Sequence, residues 1–596
     1  MAGIAIGDRL RIGAIMAGHQ VRSMLTAAYS SPFYRWSFSG GAPERLTVAP
    51  QDLRTADPTL AADFYSGRFA FAGSYADVGA SSPFSARPPT PDWQRALHGF
   101  GWLRHMRAAD AELTRLHARA LITDWIDEFG SWDAVAWAPD VVARRVISWI
   151  SHSPLILRGA DHAFYRTFMR SLSRQVRYLI RAADEAPDGV PRMTAIIALC
   201  YGGLCISGRQ RLMRQSARRL DEELVRQILP DGGHITRNPN AVVQLLLDLL
   251  PLRQTFAARD MPPSSALMSA IDRMMPMLRF FRHDDGALAH FNGMGPTYPD
   301  ILATLLAYDE TRGAPVLNAS YSGYQRLEAG DTVVIVDTGP PPPPTLSREA
   351  HAGCLSFEMS TGAERIIVNC GVPVFGGADW RAAARATAAH STAVLEDTSS
   401  CRFATAQMVV KKLGPVLVSG PRQVTVERRD EDIISLSASH DGYRGDFGIV
   451  HERRLAMSAA GDRIDGEDIF NAVSGGGNPA YAVRFHIHPN VTATRTRDHN
   501  RVILAPLYGP PWEFYAGGAD IAIEESVYLG GLDGPRRSEQ IVVHGRCRHS
   551  PRVTWRLSRI DPNRPQPQAE QQSEPEFDEL PLAHEPDIFE PGEGTE

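Results

Sequence analysis

The hydrophobic pattern of the chain changes once, near residue 320, from the spacing of helices to the alternation of strands. Before that point apolar residues recur at helical intervals, as in Asp140–His152, where Val142, Val146 and Ile150 share one face. After it, short β-branched runs are separated by turn signals such as Gly475–Asn478. Because the helices and strands do not alternate, the order excludes a parallel βαβ sheet and predicts two domains in tandem.

The two halves predict different architectures. Successive helices of roughly 8 to 25 residues with short connections indicate an α/α toroid or solenoid, and no fixed-length repeat marks a known helical array. Roughly fourteen short strands, Gln407–Leu413 among them, favour a large antiparallel β-sandwich. We therefore divide the chain into an N-terminal extension (1–90), a toroid domain (91–320), a sandwich domain (321–560) and a tail (561–596).

Charge is concentrated at one end of the chain. The net charge of -6 excludes a generally basic nucleic-acid binder. Segment 561–596 has 11 Asp and Glu against one Arg, with few apolar residues, and is predicted to be disordered. The remaining body is mildly basic, which permits an acidic polysaccharide or oligosaccharide as its partner.

The cysteines and the apolar runs bear on cellular location. None of the six cysteines forms a CxxC pair, so they are interpreted as buried free thiols. No run approaches the ~20 apolar residues of a membrane span. Without an evident signal peptide the expected location is the cytoplasm, with the periplasm as the alternative.

Two polar loops between predicted helices are candidates for a site. Asp231–Pro239 is placed to present His234, Arg237 and Asn238 to a cleft, or else it is a capped interhelical turn. His290–Tyr298 also joins helices, and its Asn292 and Tyr298 are candidates for the same cleft unless the segment is an ordinary loop.

Two further motifs lead into strands. Arg348–Phe357 contains Glu349 and His351, and Arg381–Val394 contains Arg381, Arg385 and His390. For both motifs, a plain strand entry with a satisfied histidine is as good an interpretation as a site.

In their order along the chain these motifs resemble those of the bacterial heparinase II/III-like polysaccharide lyases and the related alginate lyases. The resemblance covers roughly residues 90–560 and is most specific from Ser322 to Ser400. Five segments there carry it: Ser322–Tyr324, Asp337–Pro340, His351–Phe357, Val368–Gly371 and Ala389–Thr392. It implies a multidomain fold of α and β parts, an incomplete α/α toroid followed by a large antiparallel β-sandwich.

The resemblance also implies β-elimination on a uronate-containing glycan. That reaction needs a group that neutralises the uronate carboxylate, a base for the C5 proton and an acid for the leaving oxygen. Asn238, with Arg237 or His234 beside it, is the candidate neutraliser, Tyr298 the candidate acid/base and His351 the candidate histidine from the sandwich domain. His234, Asn238, Tyr298 and His351 are expected to converge on one cleft, with substrate contacts from the remaining polar candidates, Arg237, Asn292, Arg381 and Arg385.

The chain departs from the family pattern at several positions. The usual Tyr-His after the first loop is replaced by Ala241-Val242, and a histidine and an aspartate of the sandwich motif are replaced by Glu349 and Gly353. The family's metal ligands match His351, Asn369 and His390, of which Asn369 replaces a carboxylate. No cofactor is therefore required, although a structural zinc is an alternative. If His351 belongs to the metal position, Glu349 has to substitute for the catalytic histidine.

Three functions follow from these motifs. The first is a carbon–oxygen lyase that cleaves an acidic, uronate-containing glycan. The second is a catalytically degenerate glycan-binding or polysaccharide-assembly protein on the same scaffold, which the substitutions favour. The third is a hydrolase that pairs Glu349 with a second carboxylate ~5–10 Å away.

Overall fold

A computed structural model describes residues 6–29, 45–309, 313–374, 377–431, 433–473, 477–517 and 519–561. The predicted disordered tail lies outside the described residues, except for its first residue, Asp561.

Helices dominate the described chain as far as Ala307. They are α1 (Ile6–Tyr29), α2 (Leu60–Tyr65), α3 (Pro91–Gly99), α4 (Leu103–Ala109), α5 (Glu112–Phe129), α6 (Pro139–Ser151), α7 (Ser153–Leu157), α8 (His162–Ala182), α9 (Val190–Cys205), α10 (Gln210–Gln227), α11 (Pro239–Ala257), α12 (Ser265–Phe280) and α13 (Pro299–Ala307). A short hairpin, β1 (Arg68–Phe71) and β2 (Ser74–Asp77), lies between α2 and α3.

Helix α11 shows how local sequence sets the helical layer. The Asn238 side chain caps its N-terminus by accepting a hydrogen bond from Asn240 N, and Pro239 occupies the first turn, where its missing N–H costs nothing. Every residue from 241 to 250 is buried except Val243 and Gln244. The helix therefore lies inside the toroid and turns one narrow polar edge outward.

Strands fill the second half. They are β3 (Asn318–Ala319), β4 (Tyr324–Ala329), β5 (Thr332–Asp337), β6 (Phe357–Thr361), β7 (Glu364–Val368), β8 (Ala393–Leu395), β9 (Arg402–Phe403), β10 (Leu417–Ser419), β11 (Val424–Asp430), β12 (Ile434–His440), β13 (Ile449–Met457), β14 (Arg463–Ala472), β15 (Ala480–Ile487), β16 (Val491–Arg495), β17 (Arg501–Pro506), β18 (Trp512–Ala516), β19 (Asp520–Tyr528), β20 (Arg536–Arg546) and β21 (Arg552–Arg559).

The long strands form two antiparallel sheets. One has the order β11-β12-β13-β14-β21-β18-β17-β16, and the other has the order β19-β20-β15-β7-β6-β5-β4-β3, with β8 also paired to β15. Large aromatic side chains fill the space between the sheets; the Phe357 and Trp555 rings, for example, stack at 5.6 Å. The predicted arrangement of a helical toroid followed by an antiparallel sandwich is confirmed.

Strand β5 joins the two domains into one body. All six of its residues are buried. Val334 and Val336 belong to the sandwich core, whereas Val333 and Ile335 belong to the core of the helical domain. Because alternate side chains point to opposite faces of a strand, the helical domain must cover the outer face of this sheet.

One predicted strand is wrong. Gln407–Leu413 forms a helix, α15. It is the second of three short α-helices in the described part of this half; the others are α14 (Ala378–Ala384) and α16 (Arg444–Phe447). Val409 of α15 belongs to a small buried apolar cluster, against which Leu413 of α15 and Ile12 and Met16 of α1 pack. The apolar cluster that α15 shares with α1 outweighs the β-propensity of the run.

All six cysteines are buried and free, as the sequence indicated. Within the described residues, no helix combines the length and apolar character needed to cross a bilayer.

Candidate functional site

A cleft with a volume of about 950 Å³ runs between the helical domain and the sandwich domain. Its walls come from the first turns of α6 and α9, the loop and first turn around Asn238, the turn at Pro344–Glu349, α15 and the inner face of α1. Asn238 and Glu349, two of the candidate residues, line this cleft.

Asn238 and Glu349 meet in this cleft. Asn238 Nδ2 donates a hydrogen bond of 2.9 Å to Glu349 Oε2, while Asn238 Oδ1 accepts from the backbone N–H of Asn240. Gly293, at φ 93°, lets the chains approach, because a Cβ there would lie 2.7 Å from Glu349 O. The structure thus joins two of the predicted catalytic residues and leaves the Glu349 carboxylate exposed to solvent.

Arg237 lies behind this pair and links the helical domain to the sandwich domain through a set of buried contacts that we call the clasp. Its guanidinium pairs with Asp337 at 2.5 Å and donates to the carbonyls of Ser322, Gly323, Gly339 and Pro340. It is 7% exposed. A guanidinium with all these partners is held in place as a structural element, and its donors are not directed at the cleft.

Asn292 makes a second link in the same clasp. Its Nδ2 donates to Tyr324 Oη at 2.7 Å and to Asp337 Oδ2 at 3.1 Å, and its Oδ1 accepts from His351 N. Both Asn292 and Arg237 have left-handed backbones, with φ of 44° and 60°. Such backbones are favourable only when surrounding contacts hold them, which these buried bonds do.

His234 and Tyr298 do not join the Asn238–Glu349 pair. The His234 ring is 1% exposed and bonds to Thr236 Oγ1 and Gln227 Oε1 at 2.8 and 2.9 Å; burial lowers its pKa to about 3. Tyr298 precedes α13, is 49% exposed and does not line the cleft. The expected convergence of four side chains on one cleft is therefore limited to Asn238, with Glu349 as its partner.

His351 is buried in the wall of the sandwich. Its Nδ1 lies 3.0 Å from His390 Nε2, and His390 Nδ1 donates to the Ala386 carbonyl. Burial is the main reason that the pKa values of both rings are lowered, that of His390 to about 4. Both rings are therefore neutral near pH 7 and hydrogen-bonded to each other.

These residues do not fit the metal centre that the family pattern implies. Asn369 Oδ1 accepts from Ser391 N, and Asn369 Nδ2 is a buried donor without a partner, where a metal site would need a carboxylate. A Cβ at Gly353 would lie 2.8 Å from the His390 ring, so this position has no room for the family's aspartate. Within the described ranges, no group of three or more His, Cys, Asp and Glu is arranged to hold a metal.

Arg381 and Arg385 differ in role. Arg385 is buried and donates to the carbonyls of Ser347, Ala350 and Pro415, which fixes the turn that carries Glu349. Arg381 is exposed, pairs with Asp92 at 3.0 Å and does not line the cleft.

The cleft has basic residues that the motif analysis missed. His19 and Arg22 of α1, Arg348 of the turn and Lys412 of α15 all line it. The pKa of His19 is lowered first by burial and then by the positive charges of Arg22, Lys412 and Arg348, so these groups lie close together. The only sequence signal was the isolation of Lys411-Lys412, the only lysines of the chain.

Comparisons with known proteins agree with this architecture. The family description "Heparinase II/III-like, C-terminal" matches residues 311–556. "FtsZ-localized protein C" of Caulobacter vibrioides is 32% identical over 582 residues, which cover 94% of this chain and 98% of that protein.

Solved structures share the fold at low identity. "Heparinase III" superposes with a TM-score of 0.69 at 13% identity, covering 92% of this chain and 90% of that chain. Heparan sulfate lyase HepC of Pedobacter heparinus superposes with a TM-score of 0.59 at 16% identity, covering 94% and 93%. These likenesses establish a shared scaffold from the first helices to the last strands.

Proposed function

The chain belongs to the heparinase II/III-like family, and we propose that it uses the lyase scaffold to bind an acidic ligand without cleaving it. The observation that carries this proposal is that Asn238 and Glu349 are the only catalytic candidates among the described residues that line the cleft. β-Elimination needs a neutraliser, a base and an acid. Among the described residues that line the cleft there is no tyrosine, and the only histidine is His19.

The basic residues of the cleft support an anionic ligand. His19, Arg22, Arg348 and Lys412 come from three separate segments of the chain and all line the cleft. The lining also includes four carboxylates, of which Asp140 and Asp188 pair with arginines. A basic cluster attracts carboxylates and binds them by charge-assisted hydrogen bonds. An acidic glycan, the ligand class of the family, therefore remains the proposed occupant.

The setting of this activity is proposed from the curated relative. "FtsZ-localized protein C" is named for its location with FtsZ, and the match extends over nearly the whole of both chains. We propose that the present protein also acts with FtsZ. The cytoplasm remains the proposed location, with the periplasm as the alternative.

Lyase activity is the second candidate, and the Asn238–Glu349 contact is the observation in its favour. In that case Asn238 neutralises the uronate carboxylate, and Glu349 takes the C5 proton and returns it to the leaving glycosidic oxygen, so that the C4–O bond breaks as the C4–C5 double bond forms. The two candidates differ in what the exposed Glu349 carboxylate does once a glycan is bound.

One assay separates them. The purified protein is incubated with heparan sulfate, alginate and hyaluronate, and ultraviolet absorbance of the unsaturated product is followed. We expect no absorbance above that of Glu349→Gln, together with glycan binding that Lys412→Glu weakens. A rise in absorbance that Glu349→Gln abolishes would instead establish a lyase. The proposal that the protein acts with FtsZ is contradicted if the purified protein does not bind purified FtsZ.

A further inference from the structure

A second pocket, with a volume of about 480 Å³, lies in the helical domain next to the cleft. It is formed by the β1–β2 hairpin and helices α2, α3, α4 and α6. Arg95 and Arg144 line both spaces, so the pocket and the cleft adjoin. None of the side chains discussed as catalytic candidates lines this pocket.

Most of the arginines in this pocket already have carboxylate partners. Arg144 makes a bidentate pair with Asp248 at 2.7 and 2.9 Å, and Arg54 Nη2 lies 2.9 Å from the same carboxylate. Arg54 also pairs with Asp52 at 3.4 Å. Arg95 pairs with Asp140.

Arg104 is the exception. Its Nε donates to the Thr55 carbonyl at 3.0 Å and its Nη1 to the Gly101 carbonyl at 2.6 Å, but no described carboxylate lies within ion-pair distance. The four arginines that line the pocket therefore have three carboxylates as ion-pair partners, those of Asp52, Asp140 and Asp248. Burial lowers the pKa of Arg104, and the charges of Arg54 and Arg144 add to this effect against that of Asp52.

Part of the pocket lining is apolar. Phe64, Phe71 and Trp102 line the pocket, with the Phe64 and Trp102 rings 5.7 Å apart. A volume of this size is within the range of about 300–1,000 Å³ that is usual for small-molecule sites, which combine apolar walls with a few placed polar groups.

We propose that this pocket binds a small molecule that has one carboxylate or phosphate group, paired with Arg104, and an apolar part that contacts Phe71. The anion supplies the direct ion-pair partner that Arg104 lacks among the described residues. A planar carboxylate or a phosphate matches the fork of guanidinium donors. This proposal is independent of glycan binding in the adjoining cleft.

Isothermal titration calorimetry with the full chain tests the proposal. Phenyl phosphate and benzoate distinguish the two anions, and benzyl alcohol is the neutral probe. We expect at least one anion to bind at millimolar concentration and benzyl alcohol to bind at least about tenfold more weakly, since charged hydrogen bonds are the stronger ones. The proposal is overturned if neither anion binds or if the alcohol binds equally well.

Two variants locate the binding. Arg104→Gln is expected to weaken anion binding at least about tenfold, the equivalent of one charge-assisted hydrogen bond. Arg107→Gln is the matched control, because Arg107 lies on the same helix and donates to Ser151 O outside the pocket. Equal losses in both variants would contradict the assignment.

Ala72→Asp gives an independent result if Arg104→Gln does not fold. Ala72 lines the pocket at the exposed turn of the β1–β2 hairpin with φ 49°, a backbone that aspartate adopts more readily than alanine. The added carboxylate is expected to repel the anion and to weaken its binding while the fold is retained. Unchanged binding in this variant would exclude the pocket as the site.

Discussion

Replacing Arg237 by methionine is expected to lower the free energy of unfolding by about 3–5 kcal/mol, the usual cost of breaking a buried ion pair from one side. The substitution leaves the Asp337 carboxylate without its charge partner at a position that is 2% exposed. It also removes the donors to the carbonyls of Ser322, Gly323 and Gly339. Urea unfolding followed by circular dichroism measures the loss.

The matched control is Arg381→Met. Arg381 pairs with Asp92 at the surface, with both side chains about half exposed, and such pairs contribute at most about 1 kcal/mol. Since Arg237 joins the helical domain to the sandwich, its loss is also expected to separate the unfolding of the two domains into two transitions. A loss for Arg237→Met no larger than that for Arg381→Met would show that the clasp is not a structural element.

The architecture was predictable because its signals are local. Asn238 and Pro239 mark a helix start, and the alternation within β13 gives a strand with one buried face. α15 was predicted wrongly because its valines resemble a strand when read alone. Its helix depends on contacts with Ile12 and Met16, almost 400 positions away in sequence.

The site was less predictable than the fold. A polar loop has the same sequence pattern whether its side chains face a cleft or are buried. Which of the two occurs depends on partners that lie far away in the sequence. Arg237 pairs with Asp337, 100 positions away, and Asn292 donates a hydrogen bond to the same carboxylate from another loop. The basic residues of the cleft come together because α1 and α15 pack against each other. No motif in either segment indicated that contact.

Lowering the pH from about 6.5 towards 4 is expected to unfold the protein cooperatively. Burial lowers the pKa values of a set of histidines to about 4 or about 3, namely His98, His105, His290 and His390 in the first group and His234, His486 and His488 in the second. The folded state keeps these rings neutral, whereas the unfolded chain protonates them below its ordinary pKa of 6.5. Stability is therefore complete above pH 6.5 and is lost as the pH falls towards the folded-state values.

The size of this effect sets the expected midpoint. Each proton bound only by the unfolded chain lowers the free energy of unfolding by about 1.4 kcal/mol per pH unit. The summed loss from several such histidines therefore exceeds an ordinary free energy of unfolding of about 5–15 kcal/mol within about two pH units. We expect unfolding, followed by circular dichroism, between about pH 4.5 and 6. His488→Phe keeps the ring contact with Tyr528 and removes one titrating group, so its midpoint should move to lower pH, whereas His549→Gln, at an exposed position, should not move it. A protein that remains folded at pH 4 would show that these imidazoles find compensating partners when they become charged.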